Sequence, residues 1–275
     1  MGQEGAPEAQ PPAPERADRA NEEMARARLM SDDRARRMRR FWRMLPGGAR
    51  CKICTSPFGA PFGPVLRLLG KGRWHGNPRY CGGCFQAIYA HRGGAEVECT
   101  MFFADIRGST SLAETMRPGE FRALLDRFYQ TAADILVAHE AVVDKFVGDE
   151  VVAIFVPSMT GGAHARQAID AGLALLRATS GGAAAPVPIG IGVNTGTAYV
   201  GTVGTAEHVE FTALGDAVNV TARLASAAAA GEMLVTESAA SSAGWIPPVA
   251  ERRELDLRGK TEQTAVLVVR AGSES

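Results

Sequence analysis

From Ala95 to the C-terminus the apolar residues change their period several times in one order, and that order constrains the fold more than any other feature of the chain. VECTMFFAD (97–105) reads as a strand, and PGEFRALLDRFYQTAADILVAHEA (118–141) places its apolar residues at helical spacing. AVVDKFV (141–147) and EVVAIFV (150–156) read as a hairpin, and HARQAIDAGLALLRA (164–178) as a second helix. VPIGIGVNTG (187–196) and TAYVGTV (197–203) follow as two strands, and GDAVNVTARLASAAAA (215–230) as a third helix. EMLVTE (232–237) and TAVLVVR (264–270) close the series with strands. The order implies an α+β domain over 95–275, a ferredoxin-like antiparallel sheet with helices on one face.

The first third of the chain obeys different rules. After Met1, residues 2–14 have no large apolar side chain, so residues 1–14 cannot offset the entropy of ordering and a disordered tail is expected. Residues 15–46 favour an Arg-rich amphipathic helix, with Met38, Phe41, Trp42 and Leu45 on one face and Pro46-Gly47-Gly48 ending it. Lys+Arg and Asp+Glu both number 30 in the 275 residues, but six of the arginines crowd into 34–43. A weak contact with an anionic surface, if the chain makes one, belongs there.

Residues 47–94 carry Cys51-x2-Cys54 and Cys81-x2-Cys84 amid Gly, Pro and aromatic residues. Two CxxC pairs in a long chain without an apolar signal core point to metal rather than disulfides. Four thiolates close a tetrahedral zinc site, and an iron–sulfur cluster would use the same ligands. No run approaches the ~18–20 apolar residues of a membrane span, so a cytoplasmic location is expected.

Three short phrases carry the chemistry. FFADIRGST (102–110) sets Asp105 at the end of an apolar strand, before a turn containing Gly108. DKFVGDEVVAIF (144–155) sets Asp149 at the tip of a hairpin. If the two strands are neighbours, both carboxylates meet at one sheet edge, a donor set for two Mg²⁺ ions that bridge substrate phosphates. Taken singly, each aspartate is also an ordinary turn residue. FTALGDAVNVTARL (211–224) presents Asn219 and Arg223 at i, i+4 on one helix face, an amide and a guanidinium suited to a ribose and a phosphate gaining charge.

Together the three phrases resemble the catalytic domain of the class III adenylyl and guanylyl cyclases, over about residues 97–270. The resemblance implies that Asp105 and Asp149, with the backbone carbonyl of Ile106, hold two Mg²⁺ or Mn²⁺ ions. It implies that Asn219 orients the ribose and Arg223 stabilises charge on the α-phosphate. Lys145 and Thr212 match the positions that read the purine. A lysine only donates and suits the acceptor N1 of adenine, while a hydroxyl can accept from the exocyclic amine, so ATP is the expected substrate. Guanylyl or mixed specificity is the alternative. LDLRGKTEQTAVLVV (255–269) resembles the segment that contacts the terminal phosphates, through Arg258 or Lys260. Ser109 departs from the aromatic residue usual in the family after Gly108.

The family's sites are shared across a two-fold axis, so the resemblance also implies a homodimer with two equivalent sites. A nucleic-acid-binding protein that uses the cysteines and the arginine cluster is the reading from another class. Its weakness is the lack of aromatic residues interleaved with the basic run.

Overall fold

The computed structural model describes residues 13–75, 78–90, 93–181, 186–205, 209–245, 251–257 and 263–270. Arg258 and Lys260 lie outside these, as does the expected tail but for its last two residues, which open the first helix.

The arginine-rich stretch forms two helices where one was expected, α1 (Ala13–Met30) and α2 (Asp33–Met44). Asp32 causes the break: its side chain accepts from the Ala35 N–H at 2.8 Å, so it caps α2. In the cysteine segment α3 (Gly82–Ala90) is a regular helix, and Gly63–Lys71 makes a second helical stretch that breaks at Leu69 and Gly70.

Among the described residues the strands are β1 (Gly94–Ile106), β2 (Val142–Val147), β3 (Glu150–Phe155), β4 (Ile189–Gly204), β5 (Val209–Leu214), β6 (Glu232–Thr236), β7 (Glu251–Leu255) and β8 (Thr264–Arg270). They form one sheet in the order β2-β3-β1-β4-β6-β8-β7, with β5 paired to β4. The α+β reading holds, although the sheet is mixed: β4 and β6 run parallel. The two strands expected at 187–203 are one. The glycines between them make room instead of a turn, since a Cβ on Gly192 would lie 2.5 Å from the Thr221 carbonyl, and one on Gly196 3.2 Å from the Ala217 Cβ.

Both residues just named belong to α6 (Asp216–Ala227), which lies directly on β4. Strand alternation sorts the core into two layers. Phe102, Ala104 and Ile106 face Phe128 and Leu136 of α4 (Pro118–Ala138) and Ile169 and Leu176 of α5 (His164–Thr179). Val97, Cys99, Met101 and Phe103 face the other way, toward Ala217 and Ala225 of α6, with Ala25 and Leu29 of α1 beside them. Helices thus cover both faces of the sheet, not one.

The N-terminal segment is clamped to this domain by charge. Arg39, 1% exposed, donates to the carbonyls of Ile53 and Ala141, while Arg40 and Arg43 lie 3.2 and 3.1 Å from the buried Glu140 carboxylate. Arg43 also donates to the Val137 and Ala138 carbonyls, where the negative end of the α4 dipole favours a cation. Three of the six arginines at 34–43 are therefore engaged with Glu140 and the end of α4, while Arg34, Arg37 and the body of Arg40 remain exposed. Met38 and Trp42 pack on the cysteines, whereas Phe41, on the same side of the helix by spacing, stays exposed. Among the described residues, no helix is long and apolar enough to cross a membrane.

Candidate functional site

Asp105 ends β1 in register with Glu150 of β3, which places it beside the β2–β3 turn that carries Asp149. That turn needs Gly148, whose φ of +61° is left-handed. The Tyr129 hydroxyl of α4 donates to the Gly148 carbonyl and pins the tip. Asp105 and Asp149 are both only half-buried. Ile106 turns its side chain into the core, leaving its backbone as the only group it can offer at this edge.

The edge already draws a cation from within the chain. The Arg107 guanidinium lies on the Asp105 carboxylate and also donates to the Ser226 carbonyl of α6 at 2.8 Å. Burial lowers the Arg107 pKa, and the charges of Asp149 and Glu150 work against that. Burial, with Asp149 alongside, pushes the Glu150 carboxyl up to about 7. Arg107 and Glu150 were not singled out in the sequence, although both adjoin the expected aspartates. Oxygen donors on a wet, carboxylate-rich edge fit Mg²⁺ or Mn²⁺.

Lys145 and Thr212, 67 residues apart, meet: Lys145 Nζ is 3.3 Å from Thr212 Oγ1. Their strands, β2 and β5, are not neighbours in the sheet. Between them sits Asp144, 3% exposed, at a register shift in β2 that re-aims its side chain. Its Oδ2 takes the Thr212 hydroxyl at 2.6 Å and lies 3.3 Å from Lys145 Nζ. Lys145 itself is 40% exposed and lines a cavity of about 800 Å³ between the cysteine segment and α4, along with Arg50, Lys52 and Arg79.

Asn219 is exposed and Arg223 half-buried on the outer face of α6, whose inner face buries Val220, Thr221 and Leu224. Among the described residues, neither side chain forms a hydrogen bond or ion pair with the Asp105 or Lys145 groups.

The four cysteines converge. Their sulfurs all lie within 4.8 Å of one another, and Cys54 and Cys81 are 3.7 Å apart, close to the edge of about 3.8 Å that follows from a tetrahedron with metal–sulfur bonds of ~2.3 Å. The Cys81 N–H points at Cys51 Sγ (3.3 Å) and the Cys84 N–H at Cys81 Sγ (3.4 Å), bonds that favour the thiolate form. Hydrogen bonds from Cys51, Cys81 and Cys84 hold the Cys54 thiol far below its usual range. The donor set fits a single tetrahedral zinc ion and equally a thiolate-bound iron–sulfur cluster. Cys99 stands apart, buried in β1, where burial pushes its thiol up to about 12.

The family model for the adenylate and guanylate cyclase catalytic domain matches residues 94–270, which leaves the four cysteines outside it. Adenylate cyclase 1 of Rhizobium meliloti is 33% identical over 134 residues, 46% of this chain and 20% of that protein. An adenylate cyclase of Anabaena cylindrica is 30% identical over 183 residues, 62% of this chain and 36% of its own length. The chain thus spans about a third or less of these relatives. Among solved structures, the guanylyl cyclase Cya2 superposes with a TM-score of 0.60 at 26% identity, covering 66% of this chain and 95% of that one. The adenylyl cyclase CyaB from P. aeruginosa gives 0.57 at 29%, covering 66% and 97%.

Proposed function

Because the chain belongs to the adenylate and guanylate cyclase catalytic-domain family, we propose that it converts ATP into 3′,5′-cyclic AMP and pyrophosphate, at sites shared between two copies of the chain. The observation that carries the choice of ATP is the Lys145–Thr212 pair. The ammonium donates, and the hydroxyl, whose proton goes to Asp144, has a lone pair left to accept. An acceptor beside an amine donor is the N1/N6 edge of adenine, and guanine presents the reverse.

Asp105 and Asp149, with the Ile106 carbonyl, would hold two divalent ions. When bound, these would raise the nucleophilicity of the ribose 3′-hydroxyl and neutralise the triphosphate. Arg107 would then yield Asp105 and remain anchored on Ser226. Asn219 would hold the ribose so that its 3′-oxygen faces the α-phosphate in line with the departing pyrophosphate. Arg223, four residues on, would offer its guanidinium to the charge that grows on the α-phosphate. Arg258 or Lys260 would meet the terminal phosphates. The exposed outer face of α6 is free to serve a second protomer, and an isologous pair gives two equivalent sites. The N-terminal segment would scaffold the catalytic domain around a structural zinc ion.

Turnover of ATP and GTP is measured in parallel, with Mg²⁺ or Mn²⁺, by detection of the cyclic nucleotide and pyrophosphate. Cyclic AMP as the main product is expected, and equal or greater cyclic GMP formation sinks the choice of ATP. Mixing an Asp105→Ala chain with an Arg223→Ala chain should regain one intact site per heterodimer. Verified mixing without recovery removes the shared site.

A further inference from the structure

The cysteine segment reaches the base-reading pair through two side chains, one beside each CxxC pair. Lys52 follows Cys51, and its ammonium, 4% exposed, gives its three donors to the Asp144 carboxylate (2.6 Å), the Asp144 carbonyl (2.9 Å) and the Phe211 carbonyl (2.7 Å). Tyr80 precedes Cys81, is 1% exposed, and accepts the Phe211 N–H on its hydroxyl at 3.1 Å. The Lys52 N–H donates to the Arg79 carbonyl at 2.8 Å and so ties the two pairs together. Asp144 and Phe211 immediately precede Lys145 and Thr212. Each base-reading residue is thus gripped through its neighbour.

The grip fixes a direction as well as a position. A carboxylate only accepts and an ammonium only donates. With Asp144 Oδ1 held by Lys52, its Oδ2 faces Thr212 and takes the hydroxyl proton, while Lys145 donates to the same hydroxyl oxygen. Thr212 is left with acceptor capacity alone. A hydroxyl released from Asp144 could turn and donate to the O6 of guanine.

We infer that Lys52 and Tyr80 are positioning residues for nucleotide choice: by holding Asp144 and Phe211 they make Thr212 an obligate acceptor, so the four-cysteine segment sets the preference for adenine over guanine. The inference rests on the reading of Lys145 and Thr212 as the base contacts. It gives this segment, which the cyclase family model does not reach, a part in substrate selection.

The test compares kcat/KM for ATP and GTP in the full-length chain and in Lys52→Met, Tyr80→Phe, Thr212→Val and Lys145→Ala variants. Lys52→Met is expected to lower the ATP:GTP ratio about tenfold, the worth of one charge-assisted hydrogen bond, mainly through KM, and Tyr80→Phe to lower it less. In a Thr212→Val background Lys52→Met should change the ratio no further, since the hydroxyl it orients is gone. Fully additive effects overturn the inference, as does an equal loss of turnover with both nucleotides. If Thr212→Val and Lys145→Ala shift the ratio and Lys52→Met does not, the inference fails while the base-reading pair stands. If neither of the pair shifts it, both readings fail. Should Lys52→Met not fold, Tyr80→Phe decides, and an unchanged ratio there overturns the inference.

Discussion

Three residues separate Lys145 from Asp149 on one hairpin, yet the two ends of that short run are built in opposite ways. At the stem, Asp144 is buried and Lys52, Thr212 and Lys145 converge on it from three stretches of chain. At the tip, Asp149 is half-buried on a glycine turn that Tyr129 pins, and its companion Asp105 is paired with Arg107, two residues along the chain. The stem is finished within one protomer. The tip is left open, as would suit carboxylates that exchange an internal cation for ions and phosphates under the proposed function. On the proposed reading, the difference teaches that the recognition end is preorganised while the reactive edge waits for its ligands.

Breaking the tip should have the largest effect on activity and almost none on the fold. Asp149→Ala or Asp105→Ala is expected to cut turnover by about 10³-fold or more, the several kcal/mol that metal-assisted charge stabilisation supplies. The melting temperature should stay within about 2 °C of the parent, as for other surface changes. Metal-dependent activity near the parent level in either variant ends the contrast.

At the stem the order reverses, and stability should suffer first. The full-length chain is expected to hold about one zinc ion by elemental analysis. A Cys54→Ser, Cys81→Ser double variant should lose it, with several kcal/mol of stability, because the binding energy of such an ion is folding energy. An iron and sulfide content would replace zinc with a cluster, and a metal-free chain of unchanged melting temperature would remove the centre.

Glu140 sharpens the comparison from the other side of the clamp. Glu140→Gln leaves the buried Arg39 facing no charge, which should cost about 3 kcal/mol in denaturant unfolding. No loss would mean that the backbone carbonyls satisfy Arg39 by themselves.

Glu232, which pairs with Gly190 on the side of β4 opposite Asp105, supplies the smallest effect. Burial would raise its carboxyl, but hydrogen bonds from Arg253, the Ala229 N–H and Arg270 hold it below its ordinary 4.5. Its contribution is complete above about pH 4.5 and is lost as the pH falls through the lowered value. Glu232→Gln should cost about 1–2 kcal/mol at neutral pH and flatten the acid limb of the stability curve, with the ATP:GTP ratio unchanged. An acid limb as steep as the parent's would show that other carboxylates set it.

Much of this molecule is legible in its sequence because the signals are local. Asp105 ends an apolar run three residues before Gly108, Asp149 follows Gly148 at a hairpin tip, and the cysteine spacing implies a cluster without reference to anything distant. The break at Asp32 was missed, although Ser31-Asp32-Asp33 carries a helix-start signal inside a stretch of helical composition. The continuity of β4 was not legible, since Asn194-Thr195-Gly196 looks like a turn until α6 is seen lying on Gly196.

The sequence by itself determined most of the strand and helix order after Ala95, and singled out the two carboxylates and the four thiols, because periodicity, turn chemistry and ligand spacing act over a few residues. Only the tertiary structure decided what the charged residues between them do. Lys52 lies 92 residues from Asp144 and 159 from Phe211, and Arg39 lies 102 from Ala141. A buried charge takes its partner from whatever the fold brings within hydrogen-bond reach, and no local pattern encodes a contact over that distance.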